Sequence, residues 1–341
     1  MKHEGKSRHA VRSILTALCV LLGIVFLLML GFSVRAFTLL SSINYVETAS
    51  VPTLPPGELN RPELSETGDN ASLLPEKGLT ANVLALSGDD GVINILLIGQ
   101  DRREGQSRAR SDAMILCTFH PEKGRLTLTS FLRDLWVRIP GYRDNKLNAA
   151  YAAGGMQLLD RTLEENFGIT IDASVEVDFS RFARIIDLLG GVELTLRKDE
   201  AAHLNKCLGS SLAEGPNSLS GEQALCYCRI RKLDPDADFS RTARHRKLLN
   251  GLLCKYREVS LSQMLEILEE LLPLVTTDMT RQQLIGYAAA LFPVLDDMEL
   301  VSQRIPADGA YTTPVIRGMS VVLPDMEAAR ALLRRTMTGD T

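Results

Sequence analysis

Residues 92–131 read VINILLIGQDRREGQSRARSDAMILCTFHPEKGRLTLTSF, and the three apolar runs inside this stretch decide the fold. VINILLIG (92–99) and SDAMILCTF (111–119) are short, mainly apolar runs of buried-strand type, and RLTLTSF (125–131) alternates like a third strand. PEKG between the last two reads as a hairpin turn. Downstream, Met156, Leu159, Leu163 and Phe167 recur at helical spacing before Gly168. Ser180 is placed to cap a second helix, with Phe182, Ile185, Ile186 and Leu189 on one face, Gly190 as its stop and strand VELTL beyond. Ser220 and Gln223 form a capping box for a short helix that leads into a strand at CYCRIR, residues 226–231. Ser240 opens a helix to about Tyr256, and MLEILEELL (264–272) and QQLIGYAAALF (282–292) read as further helices. Strand-like segments near Val301 and Val321 precede a final helix from Asp325. Alternating strands and helices predict an α/β fold, an α/β/α sandwich around a central mixed sheet, in one domain over residues 91–338.

The chain has 341 residues, 45% hydrophobic and 23% charged, enough to bury a sizeable core. A formal net charge of −4 and a pI near 5.8 exclude a general nucleic-acid or anionic-membrane binder, whose basic footprint would dominate. Any anion site must be local. At the N-terminus Lys2, Lys6, Arg8 and Arg12 precede an uncharged apolar run from Ser13 to Val34, closed by Arg35. That run matches the ~20 residues a helix needs to cross a bilayer and exceeds the ~7–15 of a signal-peptide core. The expected organisation is a cytoplasmic tail (1–12), a transmembrane helix (13–35), a tether (36–90) and the α/β domain. Basic residues before the span keep the tail inside and place the domain outside the cell membrane. The tether's prolines, Pro52, Pro55, Pro56, Pro62 and Pro75, and its lack of periodicity fit a spacer.

Cys19 falls in the span, and the outer cysteines, Cys117, Cys207, Cys226, Cys228 and Cys254, are odd in number, so at least one is a free thiol or pairs between chains. A structural zinc site needs four ligands, and no second Cys/His pair stands at a spacing matching Cys226 and Cys228. These two read as small core residues on one strand face.

CRIRKLDPDADFSRTARHRK, residues 228–247, packs seven Arg and Lys and three Asp into twenty positions of this acidic chain. On a strand, Tyr227, Arg229 and Arg231 would share a face, with the two arginines ~7 Å apart. In the helix after Ser240, the stripe Arg241, Arg244, His245 continues as Leu248 and Leu252, so its cations point inward or along a cleft. Cations in a first helical turn oppose the helix dipole, and a bound anion would reverse that sign. The four arginines suit a phosphate or pyrophosphate clamp. The alternative is internal ion pairing with Asp234, Asp236 and Asp238. DPDAD fails the EF-hand pattern, since Phe239 sits where Gly is needed.

Asp101, just past the first strand, and Asp112, opening the next, are two carboxylates at one rim that could share Mg²⁺. Arg110 and Arg133 lie near the same rim if the strands are neighbours. Metal, carboxylates and arginines together have the character of a phosphoryl-transfer site.

NILLIGQD, RSDAMIL, SFLRD, NKLNAAYAAGG, DFSRFARIIDLLGGVEL, LSGEQALCYCRIR and DFSRTARHRK, in this order behind one N-terminal span, resemble the LytR-CpsA-Psr family across residues 92–256, with weaker similarity in GMSVVLPD at 318–325. The resemblance implies an extracytoplasmic phosphotransferase that moves a glycopolymer, such as teichoic acid or capsule polysaccharide, from a polyprenyl-pyrophosphate lipid onto peptidoglycan. It also implies an α/β/α fold with an apolar lipid groove. By motif, Asp101 and Asp112 match the family's Mg²⁺ carboxylates, and Arg110, Arg133, Arg229, Arg231 and Arg241 its pyrophosphate-binding arginines. Arg244 and His245 extend that set, and Asp238 is the candidate base or its orienter. Leu132 replaces the usual Pro and His245 the usual Gln. The rival readings are a non-catalytic polyprenyl-phosphate binding or regulatory protein and a hydrolase of the lipid pyrophosphate.

Overall fold

The computed structural model describes residues 43–45, 91–100, 111–231, 233–234, 237–256, 270, 272–291, 294–295 and 297–339. The expected membrane span, most of the tether, most of the helix at 264–272, and both Asp101 and Arg110 lie outside these residues. No helix among the described residues is long and apolar enough to cross a membrane.

Seven strands form one sheet. β1 (Asn44–Tyr45), β2 (Ile93–Gln100), β3 (Ser111–His120) and β4 (Arg125–Phe131) are followed by a two-strand ribbon of β5 (Trp136–Val137) and β6 (Asn145–Lys146). After helix α1 (Leu147–Phe167) come β7 (Ala173–Asp178), α2 (Phe179–Leu188), β8 (Val192–Leu196), α3 (Lys198–Leu208), β9 (Gly215–Leu219), α4 (Gly221–Cys228) and α5 (Ala237–Tyr256). β10 (Thr276–Thr277), α6 (Arg281–Leu291), β11 (Glu299–Ile305) and α7 (Met326–Thr338) complete the core elements. The sheet order is β1-β10-β7-β2-β3-β4-β11. β2 and β3, and β3 and β4, pair antiparallel, while β2 with β7 and β4 with β11 pair parallel, so the sheet is mixed as expected. β1, inside the segment expected to be tether, pairs parallel with β10.

Continuous apolar runs follow from coverage of both faces. Leu96, Ile98, Met114 and Leu116 point to one side and pack with Leu159, Leu163 and Phe167 of α1 and Leu333 of α7. Ile93, Ile115 and Phe119 point to the other, against Leu249 and Leu253 of α5 and Tyr287 of α6. A second core joins the β8–β9 hairpin to α2, α3, α4 and α5 through Ile186, Leu194, Leu204, Tyr227, Leu248 and Leu252. Here α2 and α4 meet backbone to backbone: a Cβ on Gly221 would lie 1.9 Å from the Ala183 carbonyl oxygen.

Three local expectations are corrected. Residues 226–228 close helix α4, Arg229 is its C-cap, and Ile230 and Arg231 lead away without a strand. Gly221, Ala224, Tyr227 and Cys228 are the buried residues of that short helix, the last three in the i, i+3, i+4 stripe of an amphipathic turn. The α2 cap is Asp178, whose carboxylate accepts the Arg181 N–H at 2.8 Å, and Ser180 lies inside the helix. Finally, α5 begins at Ala237, before Ser240. The Ser220–Gln223 capping box forms as expected.

Candidate functional site

Asp112 owes its position to a bulge. Gly99 of β2 pairs with Ala113 while Gln100 pairs with Ser111, so Asp112 is the extra residue of β3. A bulge re-aims the side chain it carries, and here three arginines from three separate segments converge on the carboxylate. Arg133 donates from Nη1 to Oδ1 at 2.7 Å, Arg231 Nη2 lies 3.5 Å from Oδ2, and Arg241 Nη1 lies 3.5 Å from Oδ1. Burial alone would raise the Asp112 carboxyl, but the charges of Arg241, then Arg133 and Arg231, outweigh it and hold the group below the usual carboxylate range.

Each arginine is fixed by its own scaffold. Arg133 follows β4 in a turn whose backbone is tied to the start of α1, with the Asn148 N–H on the Arg133 carbonyl at 3.1 Å and the Leu147 N–H on the Leu135 carbonyl at 2.8 Å. Arg241 rises from the inward face of α5, only 2% exposed. Arg231 follows the buried Ile230, whose carbonyl accepts from Arg244 Nη1 at 3.2 Å. Arg229, exposed, sets its guanidinium 5.7 Å from the Phe179 ring centre.

Arg244 departs from expectation. Its Nε donates to Glu200 of α3 at 3.0 Å, and Nη2 pairs with Asp234, which Arg197 also bridges at 2.9 Å. It is therefore a scaffold residue that pins the Ile230 carbonyl, and it does not join the cluster on Asp112. The expected alternative of ion pairing with the DPDAD acids holds for Arg244 and Asp234, while Arg231 and Arg241 turn to Asp112. His245 is buried, and burial, then the Arg241 charge, pushes its pKa down to about 4. It is neutral near pH 7 and contributes no cation. Asp238 lies in the first turn of α5.

Beside the charged cluster opens an apolar cavity of about 170 Å³. Its walls come from β2, β3 and β7 (Leu97, Gly99, Ala113, Ile115, Val175, Val177), from α2 (Phe179, Phe182, Ile185), and from Leu225, Cys228, His245 and Leu248 of α4 and α5. The cavity and the cluster adjoin through the chain: Ala113 follows Asp112, Cys228 precedes Arg229, and His245 sits one helical turn after Arg241. Gly99 makes this junction close, since a Cβ there would stand 3.1 Å from both Ala113 Cβ and Phe179 Cε1. The arrangement offers a cationic head site and an apolar slot for one amphiphile. Neither the bulge nor the cavity has a signal in composition or period; the carboxylate and arginine types alone marked this rim.

Mg²⁺ takes one or two carboxylates with waters and phosphate oxygens. Among the described residues Asp112 supplies one, and both of its oxygens face guanidinium groups. These residues fit the ion only where an anion draws the arginines onto itself.

A family model, the LytR_cpsA_psr family, matches residues 65–335. The regulatory protein MsrR of Staphylococcus aureus (strain COL) is 36% identical over 166 residues, 48% of this chain and 49% of that protein, so the match spans about half of that relative's length. The polyisoprenyl-teichoic acid–peptidoglycan teichoic acid transferase TagU of Bacillus mycoides (strain KBAB4) is 32% identical over 219 residues, 64% of this chain and 69% of that protein. A solved structure of TagT bound to LI-WTA aligns with a TM-score of 0.62 at 25% identity, covering 76% of this chain and 96% of that one. With the mixed sheet, the rim of arginines around Asp112 and a family match over most of its length, the chain belongs to the LytR-CpsA-Psr family.

Proposed function

We propose that this protein is a membrane-anchored phosphotransferase that moves a glycopolymer from a polyprenyl-pyrophosphate carrier to peptidoglycan, working outside the cell. One observation carries the reading: three arginines gathered on one carboxylate at the edge of an apolar cavity. The family membership and the name of the TagU relative support it. In the reaction a wall-glycan hydroxyl attacks the phosphorus bearing the glycopolymer. The new P–O bond forms a phosphodiester, the pyrophosphate P–O bond breaks, polyprenyl phosphate leaves, and the hydroxyl proton passes to a base. Arg133, Arg229, Arg231 and Arg241 would neutralise charge on the phosphates. Asp112, held ionised by its arginines, and His245, pushed down to about 4, are both weak bases for the proton. Asp238, by its motif match, is the candidate base or its orienter. Mg²⁺ belongs to the proposal as a partner of Asp112, Asp101 and the phosphates; it would add charge neutralisation.

The test is transfer by the purified chain from a polyprenyl-pyrophosphate-linked glycan to wall fragments, with and without Mg²⁺. Glycan appearing on the wall in phosphodiester linkage is the expected product. Release of free glycan phosphate instead indicates hydrolysis. Tight lipid binding without any product favours the regulatory reading, which the name of the MsrR relative supports. Protease added to wall-stripped intact cells should remove the α/β domain, and a domain protected until lysis would overturn the orientation.

A further inference from the structure

The cysteines raise a question the transfer reaction leaves open. His203 and Cys207 stand four residues apart on α3, hence on one face, and the thiol of Cys207 lies 3.5 Å from His203 Nε2. Cys226, on the packed helix α4, completes the group: the ligand atoms of His203, Cys207 and Cys226 all lie within 4.8 Å of one another. The helical pair His203 and Cys207 is the second ligand pair that spacing around Cys226 and Cys228 does not reveal, because α3 and α4 are brought together only by the fold.

We propose that His203, Cys207 and Cys226 form a binding site for a thiophilic cation of the Zn²⁺ class, with a fourth position left open. Tetrahedral zinc, with bonds of 2.0–2.3 Å, separates its ligand atoms by about 3.3–3.8 Å. The His203–Cys207 edge already has that length, and the remaining closure lies within the reach of side-chain rotation. Two sulfurs and an imidazole select Zn²⁺ over the hard ions that suit carboxylate sites. The backbone behind the ligands is braced: Asn205 exchanges hydrogen bonds with both backbone groups of Leu212 at 2.8 Å, and Gln223 of α4 donates to Ser210 at 3.2 Å. Glu222, one turn before Cys226, adds negative charge beside the thiol, opposed there by the positive charge of Arg229. Cys207 is exposed and His203 and Cys226 are half-buried, so an ion can enter from solvent. None of the three residues belongs to the cluster on Asp112, so this site stands or falls independently of the transferase reading.

The experiment is a Co²⁺ titration of the untagged, reduced, full-length chain in detergent. One Co²⁺ per chain should bind, with the visible bands of tetrahedral thiolate coordination, and Zn²⁺ should displace it. Cys207→Ser, Cys226→Ser and His203→Gln should each weaken binding by more than the ~100-fold that loss of an outer-shell partner can cost, while Cys254→Ser should bind as wild type. Zn²⁺ should also raise the melting temperature of wild type but not of Cys207→Ser, the variant least exposed to misfolding because that side chain faces solvent. Free thiols without cobalt bands, bands that persist undiminished in Cys207→Ser, or a Cys207–Cys226 disulfide in protein purified without reductant would each overturn the site.

Discussion

Arg241 Nη1 lies 3.5 Å from Asp112 Oδ1, joining residues 129 positions apart at the point where α5 meets the bulged start of β3. A guanidinium only 2% exposed requires a counter-charge. Asp112 meets that need, and in doing so gathers Arg133 and Arg231 as well. The carboxylate occupies the place in the charge balance that a phosphate would take.

Replacing Asp112 by Asn should therefore remove the carboxylate that three guanidinium groups share. We expect a loss on the order of 1–3 kcal/mol, reduced from the fully buried case because the carboxylate keeps some solvent contact. Inorganic pyrophosphate should raise the melting temperature of Asp112→Asn more than that of wild type. Equal shifts in thermal melts would show that the arginines do not share an anion site with Asp112.

Arg231 and Arg244 should separate cleanly. Arg231, with 47% of its side chain exposed, has little to contribute to stability, so Arg231→Lys should melt within about 0.5 kcal/mol of wild type yet lose roughly ten- to a hundredfold in transfer rate. Arg244→Lys should do the reverse in melting, losing on the order of 2–4 kcal/mol as the buried pairing with Glu200 loosens. A stable Arg244→Lys, or an Arg231→Lys that is fully active, contradicts the division between clamp and scaffold.

His245 predicts a pH dependence. Its folded pKa of about 4 lies below the ordinary 6.5, so the unfolded chain takes up a proton that the folded chain refuses. Stability should fall as the pH drops from 6.5 to about 4, by about 1.4 kcal/mol per unit or ~3 kcal/mol in all, and this contribution should level off below. The lowered Asp112 carboxyl acts in a separate window: its stabilisation is present above about 3.8 and is lost as the pH falls through its folded value. His245→Gln should flatten only the upper limb. Parallel denaturation curves for the two proteins across pH 4–6.5 would rule this out.

Leu225 on α4 lines the cavity and is half-buried, so Leu225→Trp should fill the slot at a packing cost of about 1–3 kcal/mol or less. Affinity for a long-chain polyprenyl pyrophosphate should drop while that for inorganic pyrophosphate stays level, as read by calorimetry. An equal loss for both ligands would mean that the cavity is not where the chain lies.

Much of this was legible in residue order. Leu96 and Leu116 sit in the apolar stretches ILLI (95–98) and AMILC (113–117), as strands of a sheet covered on both sides do, and the stripe from Arg241 to Leu252 is buried as its spacing predicts. The error at residues 226–231 has a physical origin. Cys226, Cys228 and Ile230 alternate with larger polar neighbours, but Ala224, Tyr227 and Cys228 also fit a helical stripe, and the capping box had already started that helix. Arg244 could not be assigned from sequence because its partner Glu200 lies 44 residues away on another helix. The bulge at Asp112 depends on register between strands, which local pattern does not encode.

A carboxylate that serves as resident counter-ion also acts as a tethered competitor. Its effective concentration at the three guanidinium groups is on the order of millimolar or higher, since it never diffuses away. An anion that docks here must displace Asp112, which moderates its grip, and the same carboxylate stands ready to reclaim the arginines afterwards. In the proposed reaction, release would thus have a driving group built into β3. Strengthening the clamp by removing that rival would exchange a faster-emptying site for a slower one.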